Sequence, residues 1–255
     1  MPPQDWTREQ TLVALSLYCQ LPFGKLHHRN PEIIRYAEAI GRSPSSLAMK
    51  MGNFASLDPA ITSTGRRGLS NASNADRAVW SEMQADWERF AVEARQAIAA
   101  MQLVAEGEED DEDGDTRLDY TGGSKSAQVM IRIGQNFFRR AVLSAYDYRC
   151  CITGLAIPSL LVASHIIPWR TDLRNRLNPR NGLCLSVLHD RAFDAGIITI
   201  AENMTVHVST RHAEDRGTFF ESAISSYDGH PIELPEKFQP DPQFLDYHRQ
   251  HVFQT

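Results

Sequence analysis

Two stretches in the second half of the sequence decide how it is interpreted. The first, "SHIIPW" at residues 164–169, places a single histidine inside a short apolar run. The second, "NGLCLSVLHDRAFDAG" at residues 181–196, contains an asparagine, a histidine and an aspartate. Either these polar residues form a scattered catalytic site, or they are buried residues of a strand and a helix.

The local patterns around these stretches predict strands followed by a helix. Residues 150–153, "CCIT", and residues 160–166, "LLVASHI", are predicted as two short strands joined by a turn. A polar loop at residues 170–181 follows, and residues 182–196 begin extended and become helical. Residues 197–209, "IITIAENMTVHVS", predict further strands.

The polar residues of these segments suit phosphodiester hydrolysis. Such a reaction needs a base for water, a cation that neutralises charge on the phosphate, and basic groups that hold the backbone. An imidazole is suited to act as the base near pH 7 when a hydrogen bond sets its tautomer. His165, Asn181 and His189 supply these residue types. His189 and Asp194 lie about 140° apart on one helix, so they share a cation only if the helix begins late or unwinds.

The charge distribution favours a phosphate-binding surface in the same region. Residues 106–115, "EGEEDDEDGD", hold eight of the 32 acidic residues, so 24 acidic residues remain against 26 basic ones. Residues 125–191 contain ten Lys/Arg and three Asp/Glu. The region with the two stretches is therefore basic, as nucleic-acid binding requires. An ordinary solvated surface is the alternative explanation.

The order "CCITG … ASHIIPW … NPRNGLCLSVLHDRAFDAGIITI" resembles the HNH nucleases of the ββα-metal finger type, in particular a restriction-like bacterial subgroup. The resemblance covers about residues 149–200. "RIGQNFFRRAVLSAY" and "ELPEKFQPDPQFLDYHRQHVF" also resemble segments that flank the finger in such proteins. The resemblance implies a bacterial restriction or phage-defence role.

The resemblance implies a role for each matching residue. His165 corresponds to the general base, Asn181 to the asparagine that braces the finger and orients the base or its loop, and His189 to the histidine that binds the divalent metal. Mg²⁺ is the expected ion and Mn²⁺ a substitute, with Asp194 as an additional ligand. Many of these nucleases carry Asp or His before the base, whereas this chain has Ser164, and a hydroxyl is a poorer ligand for a hard cation than a carboxylate.

The first hundred residues have helical patterns. Asn30 with Pro31, and Ser43 with Pro44, are each an N-cap followed by proline at the first helical position, and Gly41 ends the first of these two helices. Two short helices joined by "GRS" outline a helix-turn-helix unit, whose second helix would present polar residues outward, namely Ser45, Ser46, Lys50 and Asn53. A plain helical hairpin is the alternative. A long helix is predicted over residues 74–104.

The residues expected to contact DNA lie in both halves of the chain. Lys50 and Asn53 belong to the second helix of the pair, and Arg66 and Arg67 to the polar loop after it. The nuclease half adds six arginines: Arg139, Arg140, Arg170, Arg174, Arg176 and Arg180. Trp169 is assigned to packing.

These observations predict an α+β protein with a helical N-terminal domain followed by a ββα-metal nuclease domain with flanking helices and strands. The predicted boundaries are 1–104 for the helical domain, 105–124 for an acidic and Gly/Ser-containing linker, and 125–255 for the nuclease domain. Duplex cleavage with one finger per chain usually requires two chains, so a homodimer is expected.

Four cysteines, Cys19, Cys150, Cys151 and Cys184, are too few and too irregular for a disulfide framework. Gly154 stands where a Cys-x-x-Cys partner of Cys151 would be, so no structural four-cysteine zinc site is expected. No membrane span or secretory signal is recognised, and a cytoplasmic location is the default expectation.

Two alternatives to a DNA endonuclease stay open. One is a DNA-binding or partner-docking protein with an inactive finger, for which Ser164 is an argument. The other is an RNA nuclease that uses the same site.

Overall fold

The protein has a mixed fold that divides into two compact units, Met1–Ala141 and Val142–Thr255. A computed structural model describes residues 5–63, 65, 69, 71–101, 125–211 and 217–254, and it leaves aside the side chains of residues 125–130. Over these ranges there are ten α-helices and two two-stranded antiparallel sheets, which confirms the predicted α+β class. The predicted linker at 105–124 and the pair Arg66 and Arg67 lie outside the described residues.

The first unit is helical throughout its described part. Its helices are α1 (Arg8–Gln20), α2 (Pro31–Ala39), α3 (Pro44–Ala55), α4 (Pro59–Thr62), α5 (Asn74–Ala85), α6 (Trp87–Ala100) and the greater part of α7 (Lys125–Ala145). None of the described helices is long and apolar enough to cross a membrane.

Helix α1 lies at the centre of the first unit. It begins in a capping box, in which the Thr7 hydroxyl accepts from the Gln10 backbone N–H and the Gln10 side chain accepts from the Thr7 N–H. Nine consecutive residues from Thr11 to Cys19 are buried, because α3, α5 and α6 all pack against it. Tyr18, Phe54 and Trp80 form an aromatic cluster there, with ring centroids 5.9–6.5 Å apart.

Helices α2 and α3 form the pair that the sequence predicts. The side chain of Asn30 accepts from the Glu32 N–H at 2.9 Å and that of Ser43 from the Ser46 N–H at 3.2 Å, so both predicted N-caps are confirmed. Gly41 has a φ of +68°, the left-handed conformation that ends α2 and that glycine adopts without strain.

The expectation that α3 presents Lys50 outward is wrong. Lys50 is 5% exposed, and its ammonium group is paired with the carboxylate of Asp76 on α5, itself 1% exposed. The ammonium also lies 4.7 Å from the ring centroid of Trp6. Lys50 lies one turn from Leu47 and Phe54, on the face of α3 that packs inward, so its charge needs an internal partner.

The single long helix predicted over residues 74–104 is also wrong. Asp86 has extended φ and ψ angles of −153° and 90°, and it separates α5 from α6. Its carboxylate accepts from the Arg89 backbone N–H at 2.9 Å and caps α6. Aspartate competes with a continuous helix by this local hydrogen bond, which the apolar periodicity does not reveal.

The second unit contains the finger, which consists of β1 (Leu161–His165), β2 (Gly182–Ser186) and α8 (Val187–Asp194). The strands are antiparallel, with His165 opposite Gly182 and Ser164 opposite Leu183. After the finger come β3 (Ile198–Ile200), β4 (Val206–Val208), α9 (Thr218–Ala223) and α10 (Pro242–His251). The further strands predicted at residues 197–209 are therefore confirmed.

The predicted strand at "CCIT" is wrong, because these residues form a turn. The N–H of Gly154 donates to the Cys150 carbonyl at 2.8 Å, and Gly154 has a φ of +71° that allows this tight reversal. The Cys151 N–H donates to the Cys184 carbonyl at 2.8 Å and ties the turn to β2. The two strands of the finger therefore flank the polar loop.

The C-terminal helix secures the end of the finger. Nε2 of His248, on α10, lies 3.1 Å from the Phe193 carbonyl oxygen, and Nδ1 lies 2.9 Å from the Thr199 hydroxyl. The His248 ring also stacks on the ring of Phe193. Gly196 follows α8 with a φ of +68°, and a Cβ at this position would overlap the Val252 carbonyl. The "FDAG" sequence is thus needed for close backbone approach as well as for a turn.

Candidate active site

The second unit brings together the ends of β1 and β2 and the start of α8. His165 is the last residue of β1, Asn181 directly precedes β2, and His189 is the third residue of α8. Residues that the sequence separates by up to 24 positions therefore belong to one small antiparallel hairpin and the helix packed on it.

Asn181 holds the chain that leaves β1. Its side chain is fully buried; Oδ1 accepts from the Ile167 N–H at 2.8 Å, while Nδ2 lies 3.2 Å from the Ile167 carbonyl and 3.4 Å from the Asn175 carbonyl. The Asn181 backbone carbonyl accepts from the Ile166 N–H at 3.0 Å. These bonds fix the backbone immediately after His165, as an asparagine that braces the loop must do.

The hydrogen bond of the His165 ring determines which nitrogen can act as a base. Nε2 of His165 lies 2.9 Å from the Arg176 carbonyl oxygen. A carbonyl oxygen can only accept, so Nε2 carries the proton and donates it. In the neutral ring, the lone pair is then on Nδ1. The histidine is half-buried and lies at the end of β1.

Trp169 supports the same ring rather than packing only in a core. Its ring meets the His165 ring edge to face at a centroid distance of 5.5 Å. The guanidinium carbon of Arg176 lies 5.0 Å from the Trp169 centroid. Arg176 thus contributes twice, through its carbonyl to His165 and through its side chain to Trp169.

His189 is a buried imidazole, and one of its ring nitrogens makes no hydrogen bond with the described residues. Its side chain is 4% exposed, and Nδ1 lies 2.8 Å from the hydroxyl of Ser186, the residue that caps α8. Nε2 is buried and makes no hydrogen bond with the described residues. Burial lowers the pKa of His189, and the Ala223 carbonyl opposes this without making a full hydrogen bond.

The other proposed ligands occupy different surroundings. The Ser164 hydroxyl is buried and has no hydrogen-bond partner among the described residues. Asp194 is exposed at the end of α8, and the helix is regular from Val187 to Asp194, so the carboxylate is not brought to the side of His189. The described residues contain no group of three or more His, Cys, Asp or Glu side chains that could hold a metal ion.

The loop between the strands carries exposed positive charge. Arg170 and Arg174 are both exposed, and neither makes an ion pair with a described carboxylate. Arg180 is partly exposed and paired with Asp241 at 3.1 Å. Of the arginines expected to grip DNA in this unit, Arg170 and Arg174 are the most available.

The other basic residues proposed for DNA contact lie in the first unit. Arg140 is paired with Glu32 at 2.9 Å, and Arg139 is half-buried on the same helix. Asn53 is half-buried, and its side-chain oxygen has no hydrogen-bond partner in the described structure. Because Lys50 is buried, the proposed DNA surface of α3 is reduced to the polar residues Ser45, Ser46 and Asn53.

Sequence reasoning missed two residues that position the site. Ser186 stands three residues before His189, which is the spacing of an N-cap and its N3 residue, and this signal could have identified it. Asp172 accepts from the backbone N–H groups of Arg174 and Asn175 at 3.0 and 3.2 Å, an Asx-type turn that "TDLRN" indicates. The role of the Arg176 carbonyl has no sequence signal, because any residue supplies a carbonyl.

Comparison with known proteins identifies the same segment. Residues 150–201 match the sequence model of a family described as HNH endonuclease. The matched stretch contains β1, β2 and α8 with His165, Asn181 and His189. None of the curated proteins matches the chain. The chain therefore has an HNH endonuclease domain in its C-terminal half, after a helical N-terminal region, and this domain indicates an enzyme of the nuclease class.

Proposed function

We propose that this protein is a metal-dependent DNA endonuclease in which His165 is the general base. The observation that carries the proposal is the hydrogen bond from His165 Nε2 to the Arg176 carbonyl, because it leaves the lone pair of the neutral ring on Nδ1. That nitrogen belongs to a strand end beside exposed arginines, in the segment that matches the HNH endonuclease family.

In the proposed reaction, Nδ1 of His165 removes a proton from water, and the resulting hydroxide attacks phosphorus. The bond to the 3′ oxygen breaks, so the products carry 5′-phosphate and 3′-hydroxyl ends. Arg170 and Arg174 hold the phosphates that flank the scissile bond. Asn181 keeps the backbone after His165 in place, and Trp169 limits rotation of the imidazole ring.

The unpartnered donor atoms fit a divalent cation in part. Nε2 of His189 is the strongest candidate ligand, since it is buried, makes no hydrogen bond with a described residue and belongs to a ring whose pKa is lowered by burial. In the tautomer with its proton on Nδ1, His189 would donate to the Ser186 hydroxyl and present a lone pair at Nε2. The Ser164 hydroxyl is a second buried oxygen donor. When bound, Mg²⁺ or Mn²⁺ would supply neutralisation of the charge on the phosphate and the leaving oxygen.

The cellular part of the proposal is a role in restriction or phage defence, in the cytoplasm, with two chains acting on the two strands. It rests on the resemblance of the finger to the restriction-like subgroup and on the presence of one finger per chain.

A second function, DNA binding by an inactive finger, is favoured by the incomplete set of metal ligands. Among the described side chains, His189 belongs to no group of three or more His, Cys, Asp or Glu residues that could hold a metal ion. Such a protein would bind the duplex through its arginines and leave it uncut.

Plasmid cleavage separates these functions. Full-length protein is incubated with supercoiled plasmid and Mg²⁺ or Mn²⁺, and products are resolved on a gel. We expect nicked or linear DNA, and His165→Ala should lower the rate by about 10²–10⁴-fold because the base is lost. His251→Ala removes an exposed histidine of α10 and should cut at the normal rate.

Three outcomes would contradict the proposal. Plasmid that is retarded on a gel but stays intact under both metals indicates the inactive finger. Equal cutting by wild type and His165→Ala overturns the assigned base. Cleavage of RNA but not of plasmid would show that the same site acts on RNA rather than on DNA.

A further inference from the structure

The loop that supports His165 also holds one apolar side chain out into solvent. Leu173 is 60% exposed, and its two neighbours in the sequence have charged side chains. Single exposed apolar residues are common on protein surfaces, so exposure alone carries no conclusion. The rigidity of the loop and the charges beside Leu173 are what distinguish this position.

The backbone on the C-terminal side of Leu173 is held by a single carboxylate. Asp172 accepts from the Arg174 N–H at 3.0 Å and the Asn175 N–H at 3.2 Å, and its second oxygen accepts from the Asn175 side chain at 2.7 Å. Asn178 bonds to Asn175 in turn, at 3.1 Å through its backbone N–H and 3.2 Å through its side chain. Leu173 therefore projects from a turn that is closed by side-chain hydrogen bonds.

The same loop is bonded to the base. The Asn175 carbonyl lies 3.4 Å from the side-chain nitrogen of Asn181, and the Arg176 carbonyl accepts from His165. The residues whose hydrogen bonds set the position of Leu173 relative to His165 are thus no more than three positions from Leu173 in the sequence. A ligand that contacts Leu173 is therefore held at a fixed position relative to His165.

The charges on the loop favour a polyanion as that ligand. Arg170 and Arg174 are exposed on either side of Leu173. The one acidic residue among residues 168–180 is Asp172, and its oxygens are already engaged in the turn. An apolar side chain flanked by cations suits a nucleic-acid groove, where phosphates bind the cations and an apolar wedge enters between stacked bases.

We propose that Leu173 is a wedge that inserts between base pairs of duplex DNA and bends it at the site of cleavage. The inference rests on the proposed nuclease function and adds a residue that distorts the duplex. Flexible pyrimidine–purine steps are the sequences that admit such a wedge at least cost, so Leu173 also favours particular cleavage sites. Wedges of this kind bend DNA by about 20–90°.

The test uses full-length protein with EDTA, so that binding and distortion are measured without cleavage. Binding to a fluorescent duplex is measured by anisotropy. Bending is measured by energy transfer between dyes on its two ends, and unstacked thymines by permanganate oxidation. The variants are Leu173→Ala, Leu173→Met and the control Leu234→Ala, which shortens another leucine of the same unit that is 46% exposed.

We expect wild type to bend the duplex and expose thymines. Leu173→Ala should bind with an affinity within about tenfold of wild type, because the cost of unstacking disappears together with the contact, and it should lose both signals. Leu173→Met keeps an apolar wedge and should retain them, as should Leu234→Ala.

Each other outcome overturns the wedge in an identifiable way. If wild type binds without bending, or Leu173→Ala bends as wild type does, the wedge is wrong while the proposed nuclease function stands. If wild type binds neither nucleic acid in EDTA, the wedge is wrong, and plasmid cleavage with Mg²⁺ or Mn²⁺ decides the nuclease proposal by itself. If wild type binds RNA and not duplex DNA, the wedge fails together with the DNA endonuclease proposal.

Discussion

The two units bury their polar residues in different ways. In the first unit, Lys50 and Asp76 form a buried ion pair, and the second carboxylate oxygen of Asp76 accepts from the Ser73 N–H in the capping box of α5. In the finger of the second unit, two buried neutral atoms, His189 Nε2 and Ser164 Oγ, have no hydrogen-bond partner in the described chain. Such a pair stabilises a fold when both members are present, whereas open neutral donors are available to a ligand. Ser164 is next to His165 in β1, so the open donors of the finger belong to the segment that carries the candidate base.

Removal of one member of the buried ion pair should have the largest effect on stability. Lys50→Ala leaves a buried carboxylate without its counter-charge, and we expect the free energy of unfolding to fall by about 3–5 kcal/mol. Chemical denaturation of the full chain, followed by the circular dichroism of its helices, measures this loss. The control Lys25→Ala removes an exposed lysine of the same unit and should change stability by less than about 0.5 kcal/mol. Equal losses would show that the pair is not buried as described.

Acid should weaken the second unit through His248. Burial lowers the pKa of His248 from 6.5 to about 4. The neutral ring therefore stabilises the unit fully above pH 6.5, and this contribution, on the order of 3 kcal/mol, is lost as the pH falls from 6.5 through 4. The protection factors of amides in β3 and α10, which correct for the slower intrinsic exchange in acid, should fall over this range in wild type.

The variant His248→Gln provides the control for the acid effect. It has no imidazole to protonate, so its exchange at β3 and α10 should depend on pH only through the intrinsic chemistry of exchange. An acid response that persists in His248→Gln would assign the effect to another group. Peptides from α1 report on the first unit in the same experiment.

Two asparagines allow a smaller and sharper comparison. Asn181→Ala leaves the buried Ile167 N–H without its acceptor, and we expect a loss of about 1–3 kcal/mol. Asn53→Ala removes a side-chain oxygen that has no partner, and we expect a change within about 0.5 kcal/mol. Thermal unfolding of both variants tests this difference. A loss for Asn53→Ala as large as that for Asn181→Ala would contradict the interpretation that Asn53 is structurally unimportant.

Local patterns predicted many helix ends, because caps act within a few residues. Asn30, Ser43 and Gly41 perform the roles that their neighbours in sequence indicate. The two errors of this type also have local causes. Asp86 divides the long helix with one side-chain hydrogen bond, and Gly154 closes a turn where β-branched and apolar neighbours favoured a strand.

The finger could be recognised from sequence because its residues lie within 52 positions and in a fixed order. The burial of Lys50 could not be predicted from sequence, because helical periodicity does not say which neighbouring helix covers a position at the edge of the apolar face of α3. The partner of Lys50 is Asp76, 26 residues away on a helix that packs against α3.

The sequence by itself determined the helical first half, the location of the finger and the identity of His165, Asn181 and His189 as its candidate residues. Only the tertiary structure decided that Nε2 of His165 faces the Arg176 carbonyl, that Asp194 is exposed at the end of α8 and that Lys50 is buried against Asp76. The physical reason is that these properties depend on backbone carbonyls, burial and charges from distant parts of the chain. A residue's type does not encode them.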